Sequence, residues 1–260
     1  MPRFLFSLTV LVANVVFVSY LQLSIVSKQS PALIDRFFGN ETLLVTAHPD
    51  DETMFFGPLI LSLVDRKHSF HILCLSNGSS DKSGRSRSAE LESVVKVLKP
   101  HAKLKIIEDD LLTDGLHTSW SIDRITHHIS NYLSQYPKTL TNLVTFDSAG
   151  VSGHPNHIAL HNAVQRLSRG NSPVLNYYQL KSVGIMRKYT SFIDALATRM
   201  YEFFVGMIEE QKKTVNLGIS ISQNRRLRHL LSLHESQMLW FRKLYMYFSR
   251  YMFLNEFTSL

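Results

Sequence analysis

The sequence predicts an α/β domain, a mostly parallel sheet with helices on both faces, preceded by an N-terminal transmembrane helix. Three observations carry this. Short apolar runs alternate with helical periodicities between residues 42 and 179, the signature of repeated βα units. Polar motifs fall at the ends of those runs, where the loops of a parallel sheet gather to bind ligands. Phe4 to Val26 is a run of 23 residues without a charge. At about 1.5 Å per residue it spans a hydrocarbon core of about 30 Å.

Arg3 and Lys28 flank that run. A cleaved signal peptide is the competing reading, but its apolar region is usually only about 7–15 residues long. Val18-Ser19-Tyr20 is also a poor cleavage site. Residues 1–30 therefore read as a membrane anchor with its flank, and 31–260 as the globular domain. Charge barely orients the anchor, because Arg3 and the terminal amine nearly balance Lys28 and Arg36. Two sequons, at Asn40 and Asn77, would be glycosylated in a lumen. A glycan at Asn77 would obstruct the site proposed below, which favours a domain facing the cytosol.

The elements follow in order. Thr42 to Ala47 reads as a buried strand, followed by a turn and one helix from Thr53 to Asp65. A second strand runs from Phe70 to Leu75, and a polar loop from Asn77 to Ser86. The next helix, Ser88 to Leu98, places Leu91, Val94, Val95 and Leu98 at the 3/4 spacing of one face. Strands at 104–107, 142–146 and 174–179 alternate with helices at 122–133 and 156–167. The last third, 181–260, reads as helical and basic. It carries 12 Lys and Arg against 6 Asp and Glu, and most of the formal net charge of +7. Phe192 to Ile208 contains Asp194, Arg199 and Glu202 and is a poor membrane span. Basic residues followed by the aromatic-rich stretch from Trp240 to Phe253 suit a membrane-facing surface. A core helix with a solvated basic face is the plainer alternative. No nucleic-acid partner is expected, because the basic residues belong to no recognisable binding module.

A single cysteine, Cys74, excludes an intrachain disulfide and a cysteine-based zinc knuckle. Any metal would be held by His and carboxylates. One motif suits this, His48-Pro49-Asp50-Asp51-Glu52, at the end of the first strand. An imidazole and adjacent carboxylates are costly there unless paired. His48 and Asp51, three residues apart in a turn, can face one point, with Asp50 turned toward water. A helix cap at Asp50 or Asp51 is the alternative. The second motif, Ser152-Gly153-His154-Pro155-Asn156-His157, also lies between a strand and a helix. Two such loops on one sheet edge can supply two imidazoles and a carboxylate, leaving an open fourth position as in catalytic zinc sites. His161, four residues beyond His157, reads more simply as a core histidine.

These paired motifs, with Leu75-Ser76-Asn77-Gly78 and Arg87-Ser88-Ala89-Glu90-Leu91, resemble the LmbE-like zinc de-N-acetylases. The likeness is greatest to their eukaryotic membrane branch, which acts on N-acetylglucosaminyl-phosphatidylinositol in GPI-anchor synthesis. Thr145-Phe146-Asp147, His234-Glu235-Ser236-Gln237 and Trp240-Phe241-Arg242-Lys243 support that branch. The resemblance implies a Rossmann-like fold and a metal-dependent hydrolase of a linear amide. It further implies Zn2+ on His48, Asp51 and His157, Asp50 as general base, and His154 as oxyanion stabiliser. Arg87 becomes a candidate for the substrate's phosphate or hydroxyls, against a surface ion pair with Glu90 or Glu92. The implied partners are a lipid-linked amino-sugar substrate and the endoplasmic reticulum membrane. Fe(II), Co(II) or Mn(II) would also suit the ligand set. Two rival functions stay open: a deacetylase of soluble amino-sugar conjugates, and a catalytically inactive, membrane-tethered phosphoinositide-binding protein.

Overall fold

A computed structural model describes residues 31–38, 41–78, 84–136, 139–170, 174–191 and 214–260, with 193–195, 197, 198 and 201. The predicted anchor and most of the 192–208 stretch lie outside the described residues. Among those described, no helix is long and apolar enough to cross a membrane.

Helix α1 (Pro31–Phe38) leads into strand β1 (Glu41–Thr46), which is followed by α2 (Asp51–Met54) and α3 (Gly57–Asp65). The single helix expected over 53–65 is thus two. Pro58 in its first turn lacks an N–H and would clash with the preceding turn, so the chain restarts there. Next come β2 (Phe70–Cys74), α4 (Gly84–Leu98), β3 (Ala102–Ile106), α5 (Ile122–Ser134) and β4 (Leu140–Phe146). After these lie α6 (Gly150–Gly153), α7 (Pro155–Ser168), β5 (Asn176–Leu180) and α8 (Ile185–Tyr189). The chain ends with β6 (Thr214–Gly218), α9 (Ile221–Ser232), α10 (Trp240–Phe248) and β7 (Leu254–Ser259).

The described strands form one sheet in the order β3-β2-β1-β4-β5-β7-β6. The first five are parallel, and β7 runs antiparallel to both β5 and β6. Strands β1, β2 and β4 are buried along nearly their whole length, as strands covered on both faces are. Edge strand β3 instead alternates, with Lys103 and Lys105 outward. The last third is therefore not only helical: it donates β6 and β7. These strands escaped the pattern because buried polar residues, Asn216, Asn255 and Glu256, interrupt their apolar sequence. Strand order reverses between β1 and β4, so the loops leaving these neighbours diverge and open a crevice. The two His-Pro motifs leave these two strands.

Candidate active site

The β1 loop is shaped by its own acids. Asp51 Oδ2 accepts the backbone N–H groups of Ala47 (3.0 Å) and His48 (2.8 Å). Asp50 makes no side-chain cap to α2, and its backbone sits at φ 114°. That left-handed conformation costs a non-glycine residue of order 1–3 kcal/mol and persists only where surroundings hold it. Here Glu52 holds it: Oε2 accepts the Asp50 N–H at 3.0 Å, and Oε1 lies 2.7 Å from Nε2 of the wholly buried His234.

The β4 loop positions His157. Asp147 Oδ1 accepts from the N–H groups of Ala149 and Gly150, both at 3.1 Å. Gly150 takes φ 55°, where a Cβ would stand 2.9 Å from that of His157, so only glycine permits the approach. The Gly150 carbonyl lies 3.1 Å from His157 Nδ1. A carbonyl can only accept, so Nδ1 carries the proton and the Nε2 lone pair faces the site. Phe146 stacks on the ring at 3.9 Å between centroids.

The fold brings His48, Asp51 and His157 together, all buried, with donor atoms within 4.8 Å of one another. His157 Nε2 lies 3.3 Å from Asp51 Oδ1. Nε2 of His48 and Nε2 of His157 are buried without a hydrogen-bond partner among the described residues. Two orphaned imidazole nitrogens beside a carboxylate suit a divalent cation, which would satisfy both. His48 also belongs to a second group, with Asp114 and His154. It is less buried and stands nearer solvent: Asp114 Oδ1 is 3.3 Å from His48 Nε2 and 3.7 Å from His154 Nε2. His161 joins neither group. Its Nδ1 lies 3.3 Å from the Phe146 carbonyl, as a core histidine's would.

Burial drives the electrostatics apart. It pushes Asp50 up to about 6, against the pull of Arg242 and, more weakly, Arg87. The neighbouring Asp51 is buried too, yet His157 and His48 hold it well below the carboxylate range. Burial takes His48 down to about 4, leaving it neutral and able to donate a lone pair. His157 goes the other way, because Asp51 and the Gly150 carbonyl outweigh its burial. Adjacent carboxylates with separated pKa values are the usual mark of divided acid–base roles.

Arg87 is not in a surface ion pair. It is buried, and its guanidinium donates to Gly78 O (2.6 Å), Asp114 Oδ2 (2.7 Å) and Pro49 O (2.9 Å). Gly78, at φ 74°, leaves room for it; a Cβ there would meet the guanidinium carbon at 2.6 Å. Glu90 instead accepts from Ser236, at 2.7 and 2.8 Å. Sequence reasoning gave no role to Asp114 and noted Glu52, His234 and Arg242 only within motifs, without the His234–Glu52 and Arg242–Asp50 contacts. Asp114-Gly115 reads as an ordinary turn, and Arg242 sits in an aromatic stretch. Asn156 shows why Asp114 is in place, for its amide donates to the Thr113 carbonyl at 3.0 Å. Arg242 Nη2 donates to Asp50 Oδ2 at 3.0 Å across 192 positions.

His48, Asp50, Asp51, Arg87, Asp114, His154, His157 and Arg242 line one cavity of about 680 Å3, whose mouth includes Tyr189, Trp240, Phe241, Leu244 and Phe248. These five side chains are exposed, Trp240 to 75%.

Residues 43–168 match the family model described as PIG-L: GlcNAc-PI de-N-acetylase. The probable N-acetylglucosaminyl-phosphatidylinositol de-N-acetylase of Schizosaccharomyces pombe is 36% identical over 217 residues, covering 82% of this chain and 84% of the relative. The Bos taurus N-acetylglucosaminyl-phosphatidylinositol de-N-acetylase is 37% identical over 225 residues, covering 85% and 84%. Among solved structures, an N,N'-diacetylchitobiose deacetylase of Pyrococcus horikoshii superposes with a TM-score of 0.53 at 13% identity, covering 85% of this chain and 80% of that one, and so shares the fold. With this sequence similarity over most of both chains, and with the paired strand-end motifs in one cavity, the chain belongs to the GlcNAc-PI de-N-acetylase family of hydrolases.

Proposed function

We propose that this chain hydrolyses the N-acetyl group of N-acetylglucosaminyl-phosphatidylinositol, giving glucosaminyl-phosphatidylinositol and acetate, a step of GPI-anchor synthesis. The observation that carries the reading is the pair of orphaned imidazole nitrogens beside Asp51 at the crevice between β1 and β4. His48, Asp51 and His157 would hold zinc and leave a fourth position open. When bound, zinc lowers the pKa of water to about 7 and polarises the amide carbonyl.

The chain's own residues do the rest. Asp50 takes the proton from the attacking water, and its raised pKa suits a base working near neutrality. Asp51 stays ionised and orients both imidazoles. His154, half-buried and stacked on His157 at 4.8 Å, presents its ring on the open side of the site. Burial and His157 lower its pKa against the smaller pull of Asp114. Its Nδ1 accepts the Asn156 N–H at 3.3 Å, so the neutral ring carries its proton on Nε2 and donates it as a hydrogen bond to the developing oxyanion. Asp50 or His154 returns a proton to the departing amine. Arg87 and Asp114, paired on the wall, offer a donor and an acceptor to sugar hydroxyls. The exposed aromatic mouth suits the lipid end of the substrate, since Trp and Tyr favour the headgroup level. It weighs against a soluble conjugate as substrate.

The same reading places the chain at the endoplasmic reticulum membrane, held by residues 4–26, with its domain facing the cytosol. Protease added to sealed microsomes should then digest the domain; full protection would reverse the orientation. Activity is tested by acetate release from the lipid substrate with and without a chelator. Release that the chelator abolishes and zinc restores is expected. Release from soluble conjugates alone favours the rival substrate, and no release from either would defeat the reading.

A further inference from the structure

Buried cations in this protein have carboxylate partners, with one exception among the described residues. Arg250 is held by Asp194 and Glu256 and Arg87 by Asp114, and the half-buried Arg242 is held by Asp50. Lys188, on α8, is only 9% exposed, yet among the described residues its ammonium donates one hydrogen bond, to Ser152 Oγ at 2.7 Å, and otherwise lies over the Tyr189 ring, 5.6 Å from the centroid. No carboxylate of the described residues lies within ion-pair reach of it. Burial, and then the nearby charge of Arg242, push its amine down. A desolvated ammonium facing a second cation is unfavourable until an anion enters beside it. Lys188, Ser152 and Arg242 line the same cavity.

The position matters as much as the charge. Ser152 stands two residues before His154, and Lys188 is followed directly by Tyr189 at the apolar mouth. The cationic wall therefore joins the amide-hydrolysing end of the cavity to its aromatic end. A lipid-linked amino sugar presents its groups in that order: acetamide, polar rings, a phosphodiester, acyl chains. We infer that Lys188, with Ser152 and the Arg242 guanidinium, forms a subsite for the phosphodiester monoanion of the substrate. This inference rests on the proposed substrate, but anion binding can be measured apart from catalysis.

The test uses calorimetry on the full chain, with glycerophosphoinositol, free inositol and inorganic phosphate as three separate probes. Glycerophosphoinositol should bind the native protein, and Lys188→Met should weaken it about tenfold or more, the loss of one charge-assisted hydrogen bond. Lys188→Arg, which keeps the charge, should retain most of the binding. Ser152→Ala should weaken it less than Lys188→Met does. Inositol should bind alike to native and Lys188→Met proteins. No binding of glycerophosphoinositol, or equal binding to native and Lys188→Met proteins, would overturn the inference. Inorganic phosphate bound as tightly as the diester would overturn the assignment to the substrate's phosphodiester. In the acetate-release assay Lys188→Met should raise KM far more than it lowers kcat. If no variant or native protein releases acetate while the binding pattern holds, the catalytic reading fails and the subsite stands.

Discussion

The two strand-end loops and the carboxy-terminal segment build the same cavity by different means. The loops after β1 and β4 and the first turns of the helices they enter carry His48, Asp50, Asp51, His154 and His157, and short-range backbone contacts set their geometry. The segment beyond β5 reaches the cavity across most of the chain, through Arg242 to Asp50 and His234 to Glu52. It contributes a positive charge, a buried pair that supports a strained residue, and an apolar mouth. The contrast separates two tasks. Local structure assembles the groups that would bind metal and move protons. Long-range packing sets the charge, dryness and access under which they work.

Substitutions on the two sides should therefore fail differently. The largest effect belongs to the loops. Asp50→Asn should cut kcat by about 10²–10⁴-fold, the usual contribution of a positioned base, while bound metal is retained; near-normal turnover would remove Asp50 as base. Next comes the long-range support. His234→Ala leaves Glu52 buried and unpaired, and should lower unfolding stability by about 3–5 kcal/mol, measured by denaturant titration. Glu52 raises the His234 pKa above its ordinary 6.5 in the face of burial. Hence the pair's contribution is complete below about pH 6.5 and is lost as pH rises through the folded-state value. A His234→Ala deficit that stays constant across that range would contradict the pairing.

A smaller change should come from Arg242→Gln. This removes the strongest downward pull on Asp50, so the acid limb of kcat/KM should move to higher pH, by roughly one unit or less. An unmoved limb would separate Arg242 from the base. The smallest effect is expected at the mouth. Trp240→Ala should reduce activity on substrate in vesicles by about three- to tenfold, with a lesser loss on a short-chain soluble analogue. Equal losses on both would place Trp240 in packing rather than at a lipid surface.

The same division explains what could be read from residues alone. The first five strands were legible because each is a short apolar run bounded by polar turns. The metal-ligand candidates were legible because a strand-end loop confines them to a few consecutive positions. Asp114 was not, and Arg242 and His234 showed only as parts of segments that carry the family resemblance, since each gains its partner through tertiary packing. Strands β6 and β7 were hidden for a related reason: buried Asn216, Asn255 and Glu256 break the apolar pattern. Asn255 bonds the Leu59 N–H and the Phe55 carbonyl, at 3.1 and 2.7 Å. Glu256 pairs with Lys181 and Arg250, at 2.5 and 2.9 Å.

His48, Asp51 and His157 should form a self-contained metal site on which the neighbouring Asp50 acts without being a ligand. The most direct test of this ligand set is metal content, measured by elemental analysis on native, His48→Ala, His157→Ala and Asp50→Asn proteins purified alike. Stoichiometric zinc is expected in the native and Asp50→Asn proteins and little in the two histidine variants. Equal zinc in all four, or its loss from Asp50→Asn alone, would contradict that ligand set.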